Sequence, residues 1–125
     1  MFKINEDKSI YITRGDIANI TVTASDKDGN PHRFADGDII RFKVFKRRDC
    51  GCVELQKDVV VYGSVREVTV FLDGNDTKIG DVISKPTNYW YEVELNPDTA
   101  PQTIIGYDED GEKLFRLFPE GSEQA

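Results

Sequence analysis

Among the 125 residues of this chain, the ones best equipped for chemistry are its acids. Asp26/Asp28, Asp36/Asp38, Asp73/Asp76 and Asp108/Asp110 come in close pairs. Two carboxylates sharing a cleft can act as general acid and base, and two in a loop can ligate calcium. Each pair, however, stands beside a glycine in a stretch of turn composition, where backbone geometry alone selects Asp and Gly. Asp26-Lys27-Asp28-Gly29-Asn30 comes nearest a calcium loop, yet its glycine is fourth instead of sixth and no bidentate glutamate follows in register. His32 is the single histidine and follows Pro31 in a turn, with no serine or cysteine set near it by a motif, so a catalytic triad is not expected. Cys50 and Cys52 flank Gly51, a spacing too tight for an ordinary disulfide, and with one distant histidine they fall short of a zinc site; reduced thiols are expected. The residues therefore assign no catalytic, cofactor or metal site, and an enzyme is not expected.

Two further patterns bear on recognition. Arg14-Gly15-Asp16 matches the integrin-binding tripeptide, but that role needs a protruding loop on an exported protein, and the sequence reads instead as a bend in which Gly15 supplies unusual backbone angles. Trp90 stands with Glu92 and Glu94 on the non-core side of a strand, where an indole can anchor a protein contact or stack on a sugar. Phe45, Phe71 and Phe118 stand on the less decided faces of their strands, and with Trp90 they form the candidate interaction surface. The alternative to a protein partner is a carbohydrate-binding or adhesion module built on Trp90 and nearby tyrosines.

The elements that must position these residues are short and extended. Ile20, Val22 and Ala24 alternate with Asn19, Thr21 and Thr23; Ile40, Phe42 and Val44 share one face of 39–45. Val68, Val70 and Leu72 share a face of 67–72, and Tyr89, Tyr91, Val93 and Leu95 share a face of 89–95 and are expected in the core. Further β-prone runs are 9–13, 53–62 (expected as a strand pair), 103–107 and 113–118, the last two joined by Asp108-Glu109-Asp110-Gly111, the clearest hairpin signal in the chain. Residues 76–80 suit at most one helical turn. Seven or so short strands punctuated by Gly, Asp, Asn and Pro predict an all-β, antiparallel, immunoglobulin-like β-sandwich. One domain over 1–125 is expected, with an ordered core at about 2–118 and a frayed tail at 119–125.

Charge narrows the partners. With 23 acidic against 16 basic residues the formal charge is -7, so nucleic acid is a repelled partner. The one basic cluster, Lys43, Lys46, Arg47 and Arg48, reads as a solvated strand end. The first sixteen residues have no signal-peptide pattern and no run reaches membrane-spanning length, so neither export nor a membrane is expected.

Four segments carry a resemblance: Ser9 to Ala18 (SIYITRGDIA), Phe34 to Val44 (FADGDIIRFKV), Asn75 to Gly80 (NDTKIG) and Tyr89 to Leu95 (YWYEVEL). Over about residues 9–118 the chain resembles the small β-sandwich domains of tailed-phage and prophage structural proteins, similar to the N-terminal domain of baseplate upper proteins. The resemblance implies a virion component assembled in the bacterial cytoplasm, without catalytic residues, whose partners are other virion proteins and copies of itself. The chain departs from fuller members in having no long fibre or receptor-binding segment by residue 125, which favours an adaptor or decoration role.

Overall fold

Side chains that change sides at every second residue must be built as strands whose two faces meet different surroundings. The computed structural model describes residues 1–25, 28–46, 52–106 and 111–120. Among them are nine strands: β1 (Phe2–Ile4), β2 (Ile10–Thr13), β3 (Ala18–Val22), β4 (Ile39–Phe45), β5 (Val53–Val60), β6 (Val68–Leu72), β7 (Thr87–Leu95), β8 (Gln102–Ile105) and β9 (Lys113–Phe118). The larger sheet runs β1-β2-β9-β7-β4-β5, with β8 also on β7; the smaller is β3-β6. The result is a two-sheet β-sandwich of immunoglobulin-like type, in which β9-β7-β4-β5 is faced by β3 and β6. No helix occurs among the described residues, and none therefore is long and apolar enough to cross a membrane.

The expected core faces are the ones that pack. Ile20, Val22, Val68, Val70 and Leu72 from the smaller sheet meet Ile40, Phe42, Val44, Tyr91, Val93 and Phe115 from the larger one, all buried. Phe42 is wholly buried at the centre, with the Tyr91 ring at 5.5 Å and the Phe115 ring at 6.3 Å. On the edge strand β5, Lys57 shares the inward face with Phe42 of β4 and reaches Asp76 at 3.0 Å. A charge directed inward on an edge strand opposes pairing with a foreign strand.

Two pairings differ from the local sequence signals. β2 runs parallel to β9, joining the start of the chain to its end, in an otherwise antiparallel sheet. β8 and β9 both lie along β7, against 93–95 and 87–91 respectively, and no pairing between these two strands occurs among the described residues. The hairpin expected at Asp108-Glu109-Asp110-Gly111 falls on residues of which 107–110 lie outside the described residues. Residues 53–60 form a single strand on β4, not a pair, because no turn interrupts the alternation before Tyr62. The short β1, on β2, has no signal of its own in the sequence.

Replacing Phe42 with Ala removes a fully enclosed ring and should cost about 3–5 kcal/mol of unfolding free energy, read from urea denaturation. A loss below about 1 kcal/mol would contradict the central placement of this ring.

Candidate functional site

An antiparallel sheet packed on one side should present polar side chains on the other. The outer face of the larger sheet breaks this rule along one line. Trp90 stands opposite Phe45 on β4 and opposite Leu114 on β9, and Phe45 stands opposite Val53 on β5. Leu114, Trp90, Phe45 and Val53 thus form an apolar row crossing four strands, about 14 Å long at about 4.8 Å per strand. Trp90, Phe45 and Leu114 are half-buried and Val53 is 42% exposed, although no described strand packs over them.

The row is bordered by charge of opposite sign on its two sides. On one side lie Glu92 and Lys43, then Glu94, Arg41 and Asp58. Lys43 is bound by both Glu92, at 3.2 Å, and Glu94, and lies 5.5 Å from the Phe45 ring centre. Burial works against its charge, but Glu94 and Glu92 outweigh that and hold its pKa above the ordinary lysine value. Arg41 donates through Nε and Nη2 to Asp58 at 2.9 and 3.0 Å, and through Nη1 and Nη2 to Asp98 at 3.3 and 3.1 Å. The Asp58 carboxyl is held below its usual value first by that bond from Arg41. Lys43 is therefore not the solvated strand end expected of it; Lys46 is exposed, and Arg47 and Arg48 lie outside the described residues.

On the other side of the row lie Lys3, Tyr11, Arg116 and Asn88, opposite one another across β1, β2, β9 and β7. Phe118 follows, 5.6 Å from Tyr11 ring to ring and 5.6 Å from the Arg116 guanidinium carbon. The Arg116 Nε is buried and donates to no acceptor among the described residues.

Of the four aromatics expected to form an interaction surface, the fold brings Trp90 and Phe45 side by side and sets Phe118 on the same face. Phe71 is 49% exposed but points outward from β6 in the other sheet, on the opposite side of the sandwich. The tyrosines next to Trp90 do not join it: Tyr89 and Tyr91 face the core, Tyr91 donating its hydroxyl to the Lys8 carbonyl. A sugar platform of Trp90 with these two tyrosines is thereby ruled out, since neighbours in a strand point to opposite faces. Leu114, Val53 and Arg116 are not singled out by the sequence; only the pairing of β9 and β5 with the central strands reveals them.

The acid pairs serve the backbone. Asp73 and Asp76 cap one turn reciprocally, each carboxylate accepting the other's backbone N–H at 2.8 and 2.9 Å, which sets the turn three residues earlier than expected. Asp36 accepts from Gly63 N–H at 2.7 Å, and Asp38 from Ala35 N–H at 2.9 Å and from the Asn96 amide at 3.1 Å. Asp28 is exposed; Asp26, Asp108 and Asp110 lie outside the described residues. Among the described residues no three of His, Cys, Asp or Glu cluster as metal ligands do. His32 lies edge-on to Phe34, at 5.5 Å between rings. Cys52 is disulfide-bonded, which overturns the expectation of reduced thiols; Cys50 lies outside the described residues.

Arg14-Gly15-Asp16 is a docked bend. Arg14 is 8% exposed and donates to the Gly80 carbonyl at 3.1 Å, while Asp16 accepts from the Met1 ammonium. The buried Thr77 hydroxyl donates to the Asp16 carbonyl at 2.7 Å and accepts from Gly15 N–H at 3.0 Å. Gly15 has φ +91, and a Cβ on Gly74 would stand 2.8 Å from the Gly15 carbonyl oxygen. The buried Arg14 is not displayed as an integrin ligand would require.

Comparison with protein-family models, with curated proteins and with solved structures finds no match to this chain.

The depressed Asp58 pKa has a defined pH consequence. Its stabilising contribution is fully present above the usual value of 3.8 and is lost as pH falls through the lower folded value. Thermal unfolding followed from about pH 5 to about pH 2 should show a falling midpoint, and Asp58→Asn should flatten the fall. Some fall should remain, because Asp7, bonded by Ser9, and Asp76 are also held low. An unchanged acid limb in Asp58→Asn would remove Asp58 from the account.

Proposed function

We propose that the chain is a non-catalytic structural or adaptor domain of a phage or prophage virion, at the baseplate, the tail or a fibre attachment, acting by protein–protein docking. The observation that carries the docking surface is the Leu114–Trp90–Phe45–Val53 row, apolar where the pleat calls for polar side chains. Aromatic anchors at the middle of a patch with a charged border have the anatomy of a protein interface. The β-sandwich agrees with the resemblance over about 9–118, which supplies the virion, the bacterial cytoplasm as the place of assembly, and other virion proteins and further copies as partners.

Particles purified from a bacterium whose genome encodes the chain provide the test. Mass spectrometry should find it in fixed stoichiometry with tail or baseplate proteins, and Trp90→Ala should lower its incorporation at least about ten-fold, a loss of about 1.4 kcal/mol or more. Absence from washed particles would overturn the virion reading. Full incorporation of Trp90→Ala would overturn the choice of surface.

A further inference from the structure

The outer face carries more than an apolar row: its charge is arranged so that the face complements itself. The side holding Glu92, Glu94, Asp58 and Asp98 has four carboxylates against two cations, Lys43 and Arg41. The other side holds Lys3 and Arg116, neither of which has a carboxylate within ion-pair distance among the described residues. Arg116 lies against Phe118, half-buried and without a carboxylate partner among the described residues, so a carboxylate that meets its guanidinium from outside gains a charge-assisted bond.

We infer that a second copy of this chain docks face to face on the larger sheet, about a two-fold axis running along the Leu114–Trp90–Phe45–Val53 row. Rotation about that axis returns each residue of the row to its own position on the partner, so apolar side chains meet apolar side chains. The same rotation exchanges the two borders. The partner's Glu92 then lies over Asn88 and one strand from Arg116 in plan. A two-fold axis normal to the face would place the copies side by side and leave the row uncovered, so the complementarity itself selects the in-plane axis.

The size of the face is adequate. Five strand spacings by three side-chain rows measure roughly 24 Å by 20 Å, so the pair would bury on the order of 1,000 Å², at the lower bound of specific interfaces. A reversible dimer is expected, weakened by salt because it depends on facing charges.

This inference rests on the docking surface proposed above, and its test uses the purified chain, apart from any particle. Sedimentation equilibrium should show a monomer–dimer equilibrium whose dissociation constant rises at least about ten-fold in Trp90→Ala. Arg116→Glu sets a new carboxylate against the partner's Glu92 at both symmetry-related contacts, and Glu92→Arg sets a new guanidinium against the partner's Arg116 in the same way. Each variant alone should dimerise at least about ten-fold more weakly. Mixed one to one, the two variants should form a heterodimer close to wild-type strength, because both changed positions then meet a group of unlike charge across one contact while the other contact keeps its original pair. Circular dichroism matching wild type shows that each variant is folded. A wild-type chain monomeric to millimolar concentration overturns the inference, as does a dimer indifferent to Trp90→Ala. A dimer that loses strength in Trp90→Ala but is not restored by mixing overturns the two-fold arrangement. None of these outcomes bears on whether the chain is found in particles.

Discussion

Everything in this molecule depends on the pleat of β7. That strand hydrogen-bonds to β4 on one side and to β9 and then β8 on the other, so it pairs with three strands of the larger sheet. Its residues divide cleanly from position 89 onward: Tyr89, Tyr91, Val93 and Leu95 enter the core, while Trp90, Glu92 and Glu94 face out. A shift of one residue in its pairing would drive two glutamates into the apolar interior and put four large side chains in water, so the register is fixed by burial alone. With the register fixed, the place of Trp90 is no longer free. Its neighbours Phe45 and Leu114 are set by the same hydrogen bonds that hold the core together.

The charged border follows from the same constraint. Glu92 and Glu94 are neighbours along one face, and their repulsion is relieved by Lys43, which comes from the adjacent strand at the matching position. Arg41 answers Asp58 and Asp98 in the same way, with a bidentate pairing to each. Two cations thus stand among four acids, and that side keeps an excess of negative charge. On the far side of the apolar row the aromatic ring of Phe118 supplies what carboxylates supply elsewhere, and a ring only partly offsets a guanidinium's loss of water. The unequal treatment of Arg41, Lys43 and Arg116 is what gives the face a direction.

The sequence displays the strands more clearly than their partners. The alternations at 39–45, 68–72 and 89–95 read directly as strands, because each has a core face of large apolar residues and a face of other character. The pairings do not follow from pattern, since β2 with β9 and β3 with β6 join residues far apart in the chain and no turn composition signals either contact. Gly111 has φ +91, the backbone angle for which glycine suits a turn, yet the Asp-Gly composition there is silent about what the flanking strands pair with. The candidate site shares this division. Trp90 and Phe45 are identifiable as aromatics off the core face, but that they stand in the same row, that Phe71 does not, and that Leu114 and Arg116 complete the surface are consequences of strand order. Asp36, Asp38, Asp73, Asp76 and Arg14-Gly15-Asp16 read rightly as turn and bend residues, whereas the docking of that bend on Thr77 and Gly74 is a tertiary contact between residues some sixty apart in the chain.

An apolar row on an open sheet would ordinarily invite indiscriminate sticking, and two features restrain it. Lys43 and Arg116 lie over the Phe45 and Phe118 rings, so the aromatics on this face are partly covered by side chains that carry charge. The net charge of -7 keeps chains apart at a distance, so an approaching protein is repelled unless its own charge is disposed to match. In the proposed contact, short-range apolar attraction acts on a partner that arrives in an orientation placing acid near Arg116. On that proposal, hydrophobic anchoring supplies the strength of the contact and the uneven border its selectivity, and both arise from one face of one sheet.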